Sequence, residues 1–345
     1  IGKPDTTPPT VLLDSIVTIK YNTNGVQQWI AHYLGPKKIL SPDIQLVVDD
    51  SGYVYVSAAT IDTSGKATPL HDYITIKYNS AGIEQWIARY NGAANREDKP
   101  RAITIDKDGN IFVTGGSDGS SGYSDYATIK YNSAGIEQWV AIYNGPANRW
   151  DVAYAIGIDN IGNVFVTGSS DGSGTGDDIA TIKYDSNGIE KWVNRYNGSD
   201  NWWDKGLGIV TDTAGNVFIT GITQSTDLPI LNAQQNFRNG AIDVFVAKFS
   251  VSGALQWATY CGGSANEFPG GITSDGSGNV IITGTTKSTD FPIQNAFQQN
   301  NAGGHDAFVV KYNALGVIQW STYYGGSSTE GAVDIAVDGN DNVLI

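Results

Sequence analysis

Residues Asp125–Gly145 read DYATIKYNSAGIEQWVAIYNG, and residues Asp72–Gly92 read DYITIKYNSAGIEQWIARYNG, identical at 18 of 21 positions. Looser copies surround Trp29, Trp192, Trp257 and Trp320, so six tryptophans recur at spacings of 57, 53, 53, 65 and 63 residues. Self-similarity at such a period fixes the architecture before any single residue is weighed, because each unit buries its apolar face only against its neighbours. Within the unit, apolar residues alternate with period two, the signature of half-buried strands, and no stretch has helical periodicity.

Each unit holds two strand pairs. The first is Ile-Lys-Tyr-Asn, a turn, then Gln-Trp, with turns at Asn22–Gly25, Asn79–Gly82, Asn132–Gly135, Asp185–Gly188, Ser250–Gly253 and Asn313–Gly316. The second is an apolar residue, Asp-x-x-Gly-Asn, then Val-x-Val-Thr-Gly, with turns at Asp49–Gly52, Asp106–Gly109, Asp159–Gly162, Asp212–Gly215, Asp275–Gly278 and Asp338–Asp341. Asn, Asp and Gly tolerate the positive φ that tight hairpins need. Asp341 replaces the usual glycine and is expected to keep its turn. The longer spacings come from insertions at 222–242 and 285–305, with a smaller one at 58–71. The core unit of about 53 residues and four strands is the blade of a β-propeller.

Composition agrees. Charged residues make up 16% of the 345, Gly reaches 42, and hydrophobic residues are 40%, enough for a full core. The net charge of −14 argues against nucleic acid and an anionic membrane surface, both of which need clustered Lys and Arg. No apolar run approaches the length of a membrane span. Cys261 is the single cysteine, which excludes an internal disulfide and reads as a small strand residue. The chain begins at Ile1 and lacks methionine, the mark of a processed or partial chain.

Ile-Lys-Tyr-Asn-x-x-Gly-x-x-Gln-Trp followed by Asp-x-x-Gly-Asn-Val-x-Val-Thr-Gly resembles the bacterial SBBP, or seven-bladed β-propeller, repeat. Ser225–Ile230 and Ser288–Ile293, reading STDLPI and STDFPI, are similar to its longer form. The resemblance covers roughly residues 16 to 345. It implies an all-β propeller of four-stranded antiparallel blades, in large bacterial surface, secreted or periplasmic proteins, with no catalytic residues. By analogy with related repeats, the Asp-x-x-Gly-Asn hairpin joins the two inner strands. Residues 1–15 then form an extended lead-in. Complete blades are expected near 43–90, 100–143, 153–196, 206–260 and 271–324. Residues 332–345 and 16–33 would share a split blade, inner strands from the C-terminus pairing with outer strands from the N-terminus and closing the ring. Six blades result, with seven as the alternative.

Residues that break the repeat are the functional candidates. Connections between blades, and between second and third strands, emerge on one face. They carry Arg96, Arg149, Trp150, Trp202, Trp203, Asp204 and Phe268, with Phe237 and Phe297 in the long insertions. Aromatics beside charges resemble interface hot spots and, equally, a sugar-stacking platform. The loops Asp118–Asp125 (DGSSGYSD) and Asp171–Asp178 (DGSGTGDD) invite a calcium reading through Asp118, Asp125, Asp171, Asp177 and Asp178, since calcium takes six to eight oxygens. Neither fits an EF-hand, and solvated turns are the simpler reading. No other cofactor is indicated. Three histidines, His32, His71 and His305, fall in unrelated copies, and no nucleophile elbow, zinc-binding helix or P-loop occurs. The expectation is therefore a non-enzymatic protein-interaction or scaffold module in an extracytoplasmic or multisubunit assembly, even a filament. A carbohydrate-binding propeller is the alternative, and a lyase or hydrolase with a site in the central funnel the third reading.

Overall fold

The computed structural model describes residues 15–34, 44–62, 70–199 and 202–345; the lead-in expected at 1–15 lies almost wholly outside them. Every regular element is a strand. The first pair is β1 (Ile16–Tyr21) and β2 (Gln27–Tyr33). Blade B is β3 (Gln45–Val48), β4 (Val54–Asp62), β5 (Leu70–Tyr78) and β6 (Glu84–Tyr90). Blade C is β7 (Asp98–Ile105), β8 (Ile111–Asp118), β9 (Ser124–Tyr131) and β10 (Glu137–Tyr143). Blade D is β11 (Asp151–Ile158), β12 (Val164–Asp171), β13 (Asp177–Tyr184) and β14 (Glu190–Tyr196). Blade E is β15 (Asp204–Thr211), β16 (Val217–Thr223), β17 (Asp243–Phe249) and β18 (Leu255–Cys261). Blade F is β19 (Glu267–Ser274), β20 (Val280–Thr286), β21 (Asp306–Tyr312) and β22 (Ile318–Tyr324), followed by the pair β23 (Ala336–Val337) and β24 (Val343–Leu344).

In each complete blade the strands are bonded in chain order and antiparallel. First strands of successive blades approach one another, so they are the innermost, and Asp-x-x-Gly-Asn does join the inner pair. Its aspartate closes the turn itself. Asp106 Oδ1 accepts the amides of Asp108 (2.9 Å) and Asn110 (2.8 Å), and Oδ2 accepts Asn110 Nδ2 at 2.7 Å. Asp341 takes φ 60° and completes the sixth such turn.

The recurrent tryptophans lock neighbouring blades. Trp86 Nε1 donates to the Ser133 carbonyl, in the outer turn of the next blade, at 3.1 Å. Lys77 Nζ donates to the same carbonyl at 3.1 Å. The junctions from Trp29 to Ser80, Trp139 to Ser186, Trp192 to Val251 and Trp257 to Ala314 repeat this with Lys20, Lys130, Lys183 and Lys248. The indole lies flat on the turn glycine: a Cβ on Gly135 would sit 2.6 Å from Trp86. The lysines thus do not pair with the aspartates five residues earlier. Five steps along a strand span roughly 16 Å and reverse the face. The carboxylates they meet belong to inner turns, as in Lys248–Asp212 (3.5 Å) and Lys311–Asp275 (2.7 Å).

Two expectations are corrected. Inner strands begin at Asp98, Asp151, Asp204 and Glu267, ahead of 100, 153, 206 and 271, because a buried carboxylate rather than the next apolar residue opens each strand. The closing split blade is not seen among the described residues: β1–β2 and β23–β24 form two separate two-stranded sheets. A β24 of only two residues offers a short ladder, and Val17, Ile19 and Leu344 remain exposed.

The turn glycines separate backbone strain from packing. Gly135 and Gly109 both have positive φ, but a Cβ at Gly109 meets only Ser133 Cβ at 3.5 Å. Gly109→Ala is expected to lose about 1–2 kcal/mol from the left-handed backbone alone. Gly135→Ala should lose a further ~1–3 kcal/mol by prising Trp86 off its turn. Urea unfolding of both variants, with equal losses counting against the lock, checks this.

Candidate functional site

The variable end of the wheel is built on the buried carboxylates that open the inner strands. Asp98 accepts the Gly92 amide at 2.8 Å and the Ser117 hydroxyl. Asp151 accepts the Gly145 amide at 2.7 Å. Asp204 accepts Thr223 Oγ1 (2.6 Å) and Ser225 Oγ (2.7 Å). Glu267 accepts Thr286 Oγ1 (2.7 Å), Ser288 Oγ (2.6 Å) and the Gly263 amide (3.1 Å). Each ties the incoming connection to the end of the second strand. Asp204, expected among the partner-binding residues, is fully buried and belongs to this frame instead.

The residue just before each carboxylate faces outward from a fixed backbone. Those positions are Glu97, Trp150, Trp203 and Asn266, and their carbonyls accept the amides of Asp118, Asp171, Gln224 and Lys287. Two of the non-repeating tryptophans therefore occupy equivalent places on adjacent blades, near the innermost strands. Trp150 is 51% exposed, Trp202 55% and Trp203 59%. Trp150 meets Tyr123 edge-on at 5.6 Å, and Lys205 Nζ lies 5.7 Å from the centre of the Trp203 ring.

Between blades C and D, Trp150 borders a cleft of about 200 Å³ whose other walls include Glu97, Lys99, Arg101, Asp118, Ser124 and Val152. Glu97 Oε2 lies 2.8 Å from His71 Nδ1 and 3.0 Å from Lys99 Nζ. Burial, reinforced by Glu97, raises the Asp118 carboxyl above its usual range. The cleft thus combines an aromatic wall, two carboxylates and cations. Glu97 lies in the pattern-breaking connection beside Arg96 and is legible there from sequence, whereas strand pairing brings Lys99 to it and the neighbouring blade brings His71.

Other candidates lie apart. Arg96 and Arg149 are exposed beside this cleft's connections, and Phe268 is 40% exposed as the second residue of β19. Phe237 and Phe297, 73% and 88% exposed, stand at the outer rim, because their insertions fold back on the outer strands. Leu231 pairs with Ala258, and Gln294 with Ser321. In the second Gly-Ser loop the Asp171 and Asp177 carboxyls approach each other; burial together with that approach pushes Asp171 up to about 6, but the other aspartates are drawn elsewhere. Asp178 is held by Arg195, and Asp177 by Lys205 at 3.2 Å. Among the described residues no three His, Cys, Asp or Glu side chains gather as a metal site. Larger grooves of about 420 and 450 Å³ run along the opposite end, between the inner turns of blades B, C and D. They are lined by repeat aspartates such as Asp106 and Asp159, whose oxygens close their own turns.

With this geometry in place, the likeness to known proteins can be stated. The SBBP family model, described as a beta-propeller repeat, matches residues 85–123 and 256–292. Those two segments carry the SBBP repeat. The chain is also 23% identical, over 99% of its length, to an uncharacterized WD repeat-containing protein of Acanthamoeba polyphaga mimivirus, of which it spans 33%. Among solved structures it is similar to the α-L-arabinanase of Penicillium chrysogenum complexed with arabinobiose (TM-score 0.49, 10% identity, 95% of this chain and 90% of that one). It is likewise similar to the polysaccharide lyase Uly1 (TM-score 0.49, 14% identity, 91% and 79%) and to Bacillus subtilis levansucrase in complex with oligosaccharides (TM-score 0.40, 10% identity, 83% and 88%). At these scores the likeness concerns the arrangement of blades. The expectation of a non-enzymatic module does not stand beside these neighbours, which are an arabinanase, a polysaccharide lyase and a levansucrase.

The buried carboxylates make stability depend on pH. Burial pushes Asp98 up to about 6 and Glu267 up to about 7, against the pull of their hydrogen bonds. A carboxyl raised in the folded state favours folding at pH below its unfolded value near 4, and that contribution is lost as pH rises through the folded value. The melting temperature is expected to fall between about pH 4 and about pH 7, where these two groups are ionised in the unfolded chain but still protonated in the fold. Glu267→Gln should remove the part of the loss that accumulates up to about pH 7, on the order of 1–3 kcal/mol. Calorimetry across that range decides, and a parallel profile in the variant would count against Glu267.

Proposed function

We propose that this protein binds carbohydrate chains across the end of the wheel that carries Trp150, Trp202 and Trp203. The observation that carries the reading is Trp150 bordering the cleft with Glu97, Asp118, Lys99 and Arg101. A sugar ring offers an apolar C–H face to an indole and a rim of hydroxyls to carboxylates and cations. Binding sites of this kind pair an apolar wall with a few fixed polar groups. Trp203 repeats the platform one blade on, which suits a chain of several residues rather than a single sugar. The strand starts hold both indoles in place before ligand arrives, so little ordering cost remains at binding.

A second reading has its own observation. Phe237 and Phe297 project almost fully exposed from the outer rim, the setting of apolar anchors in protein–protein contacts. The two readings use different parts of the same end and are separable. Glu97 and Asp118 are the carboxylates placed to act on a bound chain, so turnover belongs in the same experiment.

Glycan-array screening followed by calorimetric titration of the best oligosaccharide tests the proposal. Trp150→Ala and Trp203→Ala should each weaken binding at least ~10-fold, about 1.4 kcal/mol, with melting unchanged within ~2 °C. Phe237→Ala should leave it unaltered. Binding indifferent to both tryptophans, or no glycan bound, removes the carbohydrate reading.

A further inference from the structure

Blade C departs from its neighbours at the floor of the Trp150 cleft. Lys99 stands opposite Gly116 across the inner strand pair. The same place holds Val152 opposite Ser169 in blade D, Lys205 opposite Ile222 in blade E and Phe268 opposite Thr285 in blade F. Gly116 does not take a positive φ, so its backbone makes no demand for glycine. A Cβ on it would sit 2.5 Å from Ser124 Oγ and 3.8 Å from Val152 Cγ1, two groups that line the cleft. The missing side chain is what leaves the floor open.

The charges depart as well. The register shift between Pro100 and Ala102 makes Arg101 the extra residue of a β-bulge, a device that re-aims a side chain. Its equivalents in blades D, E and F are Tyr154, Leu207 and Gly270. Of these four blades, only C lines its cleft with cations at both places, Lys99 and Arg101. Arg96 adds a third close to Asp118. Of the two carboxyls there, Glu97 is already engaged by His71 and Lys99. Burial holds Asp118 above its usual range, which favours its neutral, donor form beside an arriving anion. The chain as a whole carries −14, so any preference for an anion has to be local, and this is where cations outnumber carboxyls.

Resting on the carbohydrate reading above, we propose that this cleft takes the carboxylate of a hexuronic acid unit, so that the preferred chain is an anionic polysaccharide. The planar guanidinium of Arg101 presents paired donors that match two carboxylate oxygens, and Lys99 supplies a second charge beside it. The C–H face of the same ring lies on Trp150. At about 200 Å³ the cleft is smaller than the roughly 300–1,000 Å³ of sites for drug-sized ligands, which suits one ring of a chain.

Calorimetric titration with tetragalacturonate, tetramannuronate and tetraglucuronate, each beside its carboxyl-reduced neutral counterpart, tests this. At least one uronate chain should bind ~10-fold or more tighter than its neutral counterpart. Arg101→Gln should cut that preference below ~3-fold, whereas Trp150→Ala should weaken both members of the pair and keep it. Gly116→Thr, which places the blade F side chain on the floor, should weaken both at least ~10-fold. Melting curves identify the folded variants, and Arg101→Gln decides alone if Gly116→Thr does not fold. Equal affinity within every pair, a preference that survives Arg101→Gln, or binding indifferent to a folded Gly116→Thr overturns the inference and leaves the carbohydrate reading standing. Binding of none of these chains overturns it too, and the glycan array then decides the carbohydrate reading separately.

Discussion

The structure depends on one interaction made repeatedly: an indole and an ammonium from one blade gripping a single turn carbonyl in the next. Inside a blade, ladder hydrogen bonds account for the backbone, but nothing in them relates one sheet to its neighbour. Apolar burial does so without direction. The paired donors add direction, because Trp86 and Lys77 reach the Ser133 carbonyl together only when the two sheets have a fixed twist and offset. The glycine beneath the indole is then required for space as much as for backbone conformation.

The opposite end of the wheel uses a second recurring device for another purpose. A buried Asp or Glu at the start of the inner strands of blades C to F gathers an amide from the connection, hydroxyls from the end of the second strand, or both. Such a group is expensive to desolvate, and the hydrogen bonds accepted by Asp98, Asp204 and Glu267 offset that cost. It fixes the backbone of the residue before it. The identity of that one position differs from blade to blade while the frame stays constant: Glu97, Trp150, Trp203 and Asn266 are four different answers on one scaffold.

The repeat made the fold legible, because period-two patterning and turn chemistry are local properties. The tight turn at Asp341 and the all-β blades could be read from residue order, whereas the inner position of the Asp-x-x-Gly-Asn hairpins came from analogy with related repeats. The exposed tryptophans could too, because they break the period. Asp204 was misread for the same reason: beside two tryptophans it looked variable, whereas its burial depends on Thr223 and Ser225, about 20 residues on. The cleft partners Glu97, Lys99 and His71 come together only through strand pairing and the meeting of two blades, which no local pattern encodes.

The insertions that brace blades E and F leave the circumference unequal. Leu231 and Gln294 each exchange main-chain bonds with the outermost strand of their blade. Among the described residues, β2, β6, β10 and β14 have no such cover. An extended peptide arriving from solvent would find a bare template along the outer edges of these sheets and a shielded one along E and F. Unwanted strand addition, and with it the onset of aggregation, is thereby kept off the outer edges of the last two blades.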